Sequence, residues 1–203
     1  MTLSEIIAFI IASVVLAFTP GPDNIFVLVT SLGQGFKDSV KFILGLCTGI
    51  ILHTFLIVIG ISTLVSQSQY GLLVLKIFAV VYLLYLSYLT YIHRHDGIDL
   101  KQNKSVANYY LRGFVMNITN PKVLMFFLAF FPQFANLNQA GYQGRLILLG
   151  VIFIAVTLVV FSFIAWLASQ GAQKLLSKPR YSLIINWLAI LVFVAVSVLL
   201  IVT

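Results

Sequence analysis

Long apolar stretches alternate with short polar linkers along the whole chain. Each stretch is long enough for an α-helix to cross a bilayer, which takes about 20 residues. The pattern predicts six membrane-spanning helices, at Ser4–Ser31, Ser39–Val65, Tyr70–Ile92, Tyr109–Phe134, Arg145–Gln170 and Tyr181–Val202. We therefore expect an all-α polytopic membrane protein.

The composition supports a membrane protein and excludes several other classes. Hydrophobic residues make up 61% of the 203 residues and charged residues only 8%, whereas a soluble domain carries roughly 25% charged residues. The single cysteine, Cys47, excludes an intramolecular disulfide and a cysteine-based metal site. Glu5 stands where a signal peptide would carry basic residues, so we expect the first helix to be retained.

Basic residues are concentrated in alternate linkers. The net charge is +7, and nine of the twelve Lys and Arg residues lie in or beside the first, third and fifth linkers. The second and fourth linkers have only Lys76 and Arg145 at their edges. Because positively charged loops stay in the cytoplasm, both termini are predicted to face the periplasm. The same rule explains the net charge without a nucleic-acid partner.

Two polar motifs interrupt the first and fourth helices. The first consists of Thr19, Pro20, Gly21, Pro22, Asp23 and Asn24, and the second of Asn117, Ile118, Thr119, Asn120, Pro121 and Lys122. Pro22 and Pro121 lie 99 residues apart, each in the first helix of a three-helix half. The halves are residues 1–92 and 109–203, joined by a cytoplasmic linker at 93–108. Three helices per half give the halves opposite orientations, which predicts an inverted repeat whose broken helices mark a binding site.

Each proline is expected to begin a new half-helix within the membrane. Proline disrupts the turn before it, but it is favoured in the first turn of a helix, after a Thr or Asn cap. The free N–H groups and the positive dipole end of the half-helix then point into the bundle. Such a helix end can bind an anionic group such as a carboxylate.

Asp23 and Lys122 are the strongest candidates for binding residues. They occupy equivalent positions and carry opposite charges, and a charge in the bilayer core costs at least about 2.5 kcal/mol on insertion scales. Two arrangements remain open, and they can alternate. Either the side chains pair directly, or Asp23 binds a substrate ammonium while Lys122 and the half-helix N–H groups bind its carboxylate. The predicted substrate site also includes Pro20, Gly21, Pro22, Asn24, Asn117, Asn120 and Pro121.

The second helix carries a stripe of small and polar residues. Gly45, Gly49 and His53 recur at steps of four, which places them on one helical face. The Gly45–Gly49 spacing permits close helix packing. His53 can change protonation near neutral pH and is suited to proton coupling, although a hydrogen bond to a neighbouring helix is the commoner role. On the third helix, packing and an interfacial belt are the simplest explanation for Tyr82, Tyr85, Tyr88 and Tyr91.

These motifs resemble a known family. Pro20–Asn24 and the stripe Gly45–His53 are similar to the first half of lysine-exporter-type (LysE/RhtB) amino-acid efflux proteins. Asn117–Lys122, followed by Pro132–Phe134, resembles the signature of the second half. The resemblance extends over essentially the whole chain in the order and spacing of the motifs.

The resemblance implies an antiporter of the bacterial inner membrane that exports amino acids or their derivatives, driven by the proton gradient. Substrates of the family include lysine, arginine, homoserine, threonine and homoserine lactones. The Pro-Gly-Pro-Asp form of the first motif is similar to that of the threonine and homoserine members. The expected partners are a small amino-acid-type solute, protons and the bilayer, and homo-oligomer formation is left open.

Two other functions remain as alternatives. One is an ion or metal carrier that uses Asp23, His53 and Asn120, which metal-dependent tolerance without amino-acid export would distinguish. The other is a non-transporting assembly subunit, in which both proline motifs would tolerate alanine. The sequence shows no nucleophile–base pair, phosphate-binding loop or dedicated metal site, so we predict neither an enzyme nor a bound cofactor.

Overall fold

The computed structural model describes residues 1–19, 21–67, 71–92, 94, 108–135, 137 and 139–170, with scattered positions between 183 and 201. All regular secondary structure in these ranges is helical, with no strand. Pro20, most of the linker 93–108 and most of the predicted helix Tyr181–Val202 lie outside the described residues.

The helices follow the predicted apolar stretches. In chain order they are α1 (Leu3–Phe18), α2 (Pro22–Gln34), α3 (Phe36–Gln67), α4 (Gly71–Ile92), α5 (Tyr109–Thr119), α6 (Pro121–Met125), α7 (Phe131–Ala135) and α8 (Tyr142–Ser169), with a π-helical segment at Phe126–Phe130. The segment Phe36–Gly60 of α3 and the whole of α8 are each apolar enough to cross a bilayer, with mean hydropathies of 2.5 and 3.0.

Two bent helix pairs complete the set of candidate spans. α1 and α2 meet at an angle of 60°, and α5 meets the segment Pro121–Ala135 at 51°. If each pair is one span, the described part of the chain contains up to four candidate membrane spans by length and composition. The breaks thus fall at the two polar motifs identified in the sequence.

A proline begins the second helix of each bent pair, as predicted, but the two caps differ. α6 begins at Pro121, and the side chain of Asn120 caps it. α2 begins at Pro22, and the residue before it is Gly21, which has no side chain to provide a cap. Thr19, the threonine of this motif, does not cap α2, because it ends α1 and its hydroxyl donates to a carbonyl within that helix.

α3 lies at the centre of the described bundle and packs mainly against α5 and α8. Glycines bring α3 and α5 into backbone contact. A Cβ on Gly45 would collide with the carbonyl oxygen of Tyr110, and a Cβ on Gly113 would collide with that of Phe42. Small residues therefore allow the two helix axes to approach closely, as in other membrane helix pairs.

A cluster of phenylalanines holds α1 against the second broken helix. Phe9 of α1 packs against the rings of Phe130 and Phe131, with ring centroids 6.1 and 5.4 Å apart. Phe153 of α8 closes the cluster against Phe126, at 4.8 Å. This packing brings the end of α1 close to the break between α5 and α6.

Replacing Gly45 or Gly113 with alanine should push α3 away from α5. Each added Cβ would collide with a backbone oxygen, and overpacking of this kind costs about 1–3 kcal/mol. Gly144 is the matched control, since a Cβ there would have nothing within 4 Å. We expect a lower thermal-unfolding temperature in detergent for Gly45→Ala and Gly113→Ala, and no decrease for Gly144→Ala. Unchanged temperatures for the first two variants would contradict the close packing.

Candidate functional site

The two helix breaks meet in the interior of the bundle. The side chains there are buried, with Asp23 only 2% exposed, Asn120 3% and Lys122 9%. The amide Nδ2 of Asn120 donates a hydrogen bond to Oδ2 of Asp23 over 2.9 Å. The second break therefore supplies a hydrogen-bond donor to the buried carboxylate of the first.

The ammonium of Lys122 lies at the carboxyl end of α1. Its Nζ donates to the carbonyl oxygens of Leu16, at 3.1 Å, and Thr19, at 2.9 Å. The carbonyl of Leu16 would normally accept from residue 20, but that residue is Pro20, which has no N–H. A cation is also favourable at this end of a helix. Gly21 leaves room for the side chain, because a Cβ there would lie 3.2 Å from Nζ.

The Asn120 side chain has two roles at once. Its Oδ1 accepts a hydrogen bond from the backbone N–H of Lys122 over 2.9 Å, which caps α6. Its Nδ2 is the group that contacts Asp23. One amide therefore fixes the start of α6 and holds the carboxylate of α2.

Asp23 and Lys122 do not form an ion pair in this conformation. Among the residues that the structure describes, the one salt bridge joins Lys41 to Asp38 at 2.7 Å and involves neither Asp23 nor Lys122. Asp23 and Lys122 instead line the same cavity, with their hydrogen bonds directed to other groups. The direct pair, one of the two arrangements left open by the sequence, is therefore not formed in this conformation, and the arrangement with a bound substrate stays a prediction.

The cavity between the breaks is small and mostly apolar. It has a volume of about 20 Å³, which is room for about one water molecule. Its polar lining residues are Asp23, Asn117, Lys122 and Thr157, and apolar side chains of α1, α3, α6 and α8 form the remaining walls. Oδ1 of Asp23 and Oδ1 of Asn117 are buried without a hydrogen-bond partner. Oδ1 of Asn117 lies against Gly49 of α3, so Oδ1 of Asp23 is the oxygen of this pair that can accept a hydrogen bond from a cationic or polar group.

The stripe on α3 contacts the second break rather than lining the cavity. A Cβ on Gly49 would lie 2.7 Å from the Cβ of Asn117, so this glycine lets Asn117 approach α3. Nε2 of His53 lies 3.4 Å from the carbonyl oxygen of Asn117. The His53 ring also stacks on Phe127, with centroids 5.1 Å apart. Gly45, one turn earlier, packs against α5.

Asn24 is bound to the end of α1 and does not line the cavity. Its Nδ2 donates to the carbonyl oxygen of Ala17 over 2.5 Å. Pro20 lies outside the described residues, so its placement stays a prediction. The structure thus brings Asp23, Asn117 and Lys122 together at one cavity and leaves Asn24 in a supporting position.

Two residues near the site were missed by sequence reasoning. The hydroxyl of Tyr82 donates to the carbonyl oxygen of Pro121 over 3.0 Å. Tyr82 is 9% exposed, whereas Tyr85 is 53% exposed, so burial separates it from its neighbours in the tyrosine stripe. Thr157 lines the cavity from α8, and a single threonine in an apolar helix gave no signal of this.

The described residues give no support to a metal site. Within them, no group of three His, Cys, Asp or Glu side chains is arranged to hold a metal ion. His53 contacts Asn117 and does not line the cavity that Asp23 lines. The ligand set considered for a metal carrier is therefore not assembled in this conformation.

Comparison with known proteins assigns the chain to a family. The sequence profile of the LysE type translocator family matches residues 14–203. The homoserine/homoserine lactone efflux protein of Salmonella typhimurium is 32% identical, over 90% of this chain and 93% of its own length. An uncharacterized membrane protein of Bacillus subtilis is 26% identical, over 86% of this chain and 91% of its own length. No solved structure shows significant similarity. The resemblance seen in the motifs is confirmed, and the chain belongs to the LysE type translocator family of membrane transporters.

Proposed function

We propose that the protein is a secondary carrier that exports amino acids or close derivatives across the bacterial inner membrane. The observation that carries this proposal is the pair of buried opposite charges, Asp23 and Lys122, at one cavity between two broken helices. An amino acid is a zwitterion and presents the complementary pair, an ammonium and a carboxylate. Buried charges are costly in a membrane protein and typically belong to a substrate or ion pathway.

The free hydrogen-bonding groups of the site suit this substrate. The unpartnered oxygen of Asp23 is the acceptor for the ammonium. Lys122 uses two of its three N–H donors on α1 carbonyls, so the third remains for the carboxylate. The substrate would thus bind between the charges without first breaking an ion pair.

Among amino acids and their derivatives, the named relative favours a homoserine-type substrate. The Salmonella typhimurium relative is named for efflux of homoserine and homoserine lactone. The lactone keeps the ammonium but replaces the carboxylate with an ester. Asp23 would bind both compounds in the same way, and Lys122 would donate to a carboxylate in one and to an ester carbonyl in the other.

Transport would require the site to open. An amino acid is several times larger than a water molecule, so a cavity of about 20 Å³ is closed to it. We assign the opening to movement of two inverted three-helix halves, residues 1–92 and 109–203, against each other. The Asn120–Asp23 hydrogen bond joins these halves and would break and re-form. Proton antiport would drive the cycle, with His53 beside the second break as the coupling residue.

The proposed topology can be tested by cysteine labelling. Both termini and the connection before α8 are placed in the periplasm, and the connection between α2 and α3 is placed in the cytoplasm. Gln139 is an exposed residue of the first connection, and Gln34 is the exposed last residue of α2, next to the second connection. In a Cys47→Ser background, we expect a membrane-impermeant maleimide to label Gln139→Cys in intact cells and Gln34→Cys only after permeabilisation. The reverse labelling pattern would contradict the topology.

Neutralising either buried charge should reduce export. Asp23→Asn and Lys122→Met each remove one charge-assisted hydrogen bond to the substrate, which contributes about 1.5–3 kcal/mol. We therefore expect at least about a tenfold slower efflux of homoserine and threonine from loaded proteoliposomes with an imposed pH gradient. Asp38→Asn and Lys41→Gln are matched controls, because they disrupt an ion pair that lies outside the cavity and such partly exposed pairs contribute little.

The same assay separates the competing functions. If Asp23→Asn and Lys122→Met both export amino acids at the wild-type rate, the assigned binding site is wrong. Absence of amino-acid efflux from the wild-type protein would contradict the carrier itself. In that case, metal-dependent tolerance in cells would select the ion carrier.

A further inference from the structure

One polar side chain interrupts the buried face of α8. Thr157 is the one polar residue among the ten buried residues of this helix, and it is 3% exposed. Phe153 and Phe161 flank it one turn away on either side, and all three line the cavity. A hydroxyl in such apolar surroundings is unfavourable unless it forms a hydrogen bond.

The hydroxyl of Thr157 lacks the bond that threonine usually forms in an apolar helix. Such hydroxyls commonly donate to the carbonyl four residues earlier. Five threonines of this protein do so at 2.7–3.0 Å, namely Thr19, Thr48, Thr54, Thr90 and Thr119. Thr157 forms no such bond with Phe153, and both residues are described. Its hydroxyl therefore remains available to a group in the cavity.

The other polar groups of the cavity already have roles in the proposed substrate complex. In that complex Asp23 would bind the ammonium and Lys122 the carboxylate, while Oδ1 of Asn117 lies against Gly49 of α3. These three come from the two breaks, whereas Thr157 comes from α8. If the ammonium and carboxylate of the substrate bind at the two breaks, its side chain faces the remaining walls of the cavity. Thr157 is the one polar group described on those walls.

We propose that Thr157 hydrogen-bonds the side-chain oxygen of the substrate and selects hydroxy amino acids over apolar ones of the same shape. The proposal rests on the proposed function, because it adds a contact in the same site. Phe153 and Phe161 line the cavity one turn before and after Thr157, so an apolar substrate side chain would leave the Thr157 hydroxyl buried without a partner. Sites built around such a hydrogen bond discriminate strongly against the analogue that lacks it.

The test compares substrates that differ only by a hydroxyl. Homoserine and norvaline have side chains of the same shape, as do threonine and valine. We expect wild-type proteoliposomes to export the hydroxy member of each pair faster. Thr157→Val keeps the shape of the residue but removes the hydroxyl. It should lower this preference about tenfold, which is the effect of losing one hydrogen bond. The loss should come mainly from slower export of the hydroxy member. Thr157→Ser keeps the hydroxyl and should retain the preference.

The role of Thr157 can be tested against one control variant and three contradictory outcomes. Thr30 is similarly buried at 4% exposure but does not line the cavity, so Thr30→Val should leave the preference unchanged. An equal loss of export for both members of a pair in Thr157→Val would overturn the selective role and leave the carrier function standing. If Thr157→Ser loses the preference as Thr157→Val does, the hydroxyl is not the selective group. No export by the wild-type protein would overturn both the inference and the proposed function.

Discussion

A break in a membrane helix exposes backbone carbonyls that no water can reach, and the packing of this protein follows from how one such carbonyl is satisfied. Pro20 cannot donate to Leu16, so the ammonium of Lys122 crosses from the second break to do so. That buried positive charge is balanced by Asp23, which Asn120 holds while it caps α6. The first break is thus completed by groups from the second, and both must lie side by side.

Because Asp23 and Lys122 are separated, a substrate would be able to bind and leave the site without first breaking an ion pair. In surroundings of low dielectric constant, opposite charges attract strongly and a direct pair would compete with any substrate. Here each charge is held by neutral groups, an amide for Asp23 and carbonyls for Lys122. Asp23 also keeps one oxygen without a partner. In the proposed complex a zwitterion would bind both charges, and its release would leave each with its neutral partners.

The features that depend on local chemistry could be predicted from the sequence. Apolar length located the described helices, and proline chemistry located both breaks and pointed to Asp23 and Lys122. The partners of these groups could not be predicted, because they depend on how segments about 100 residues apart are placed. The π-helical segment Phe126–Phe130 lies in a uniformly apolar run that gives no signal of a changed helical period. Thr157 was missed because most helical threonines bond within their own helix.

The central claim is that an amino acid binds to the buried charges where the two breaks meet. Its most direct test is ligand-induced stabilisation of the purified protein in detergent, since a ligand that binds the folded state raises the unfolding temperature. Homoserine should raise this temperature in a concentration-dependent manner for the wild-type protein and for Asp38→Asn, and should not raise it for Asp23→Asn. An equal rise in Asp23→Asn would contradict the account.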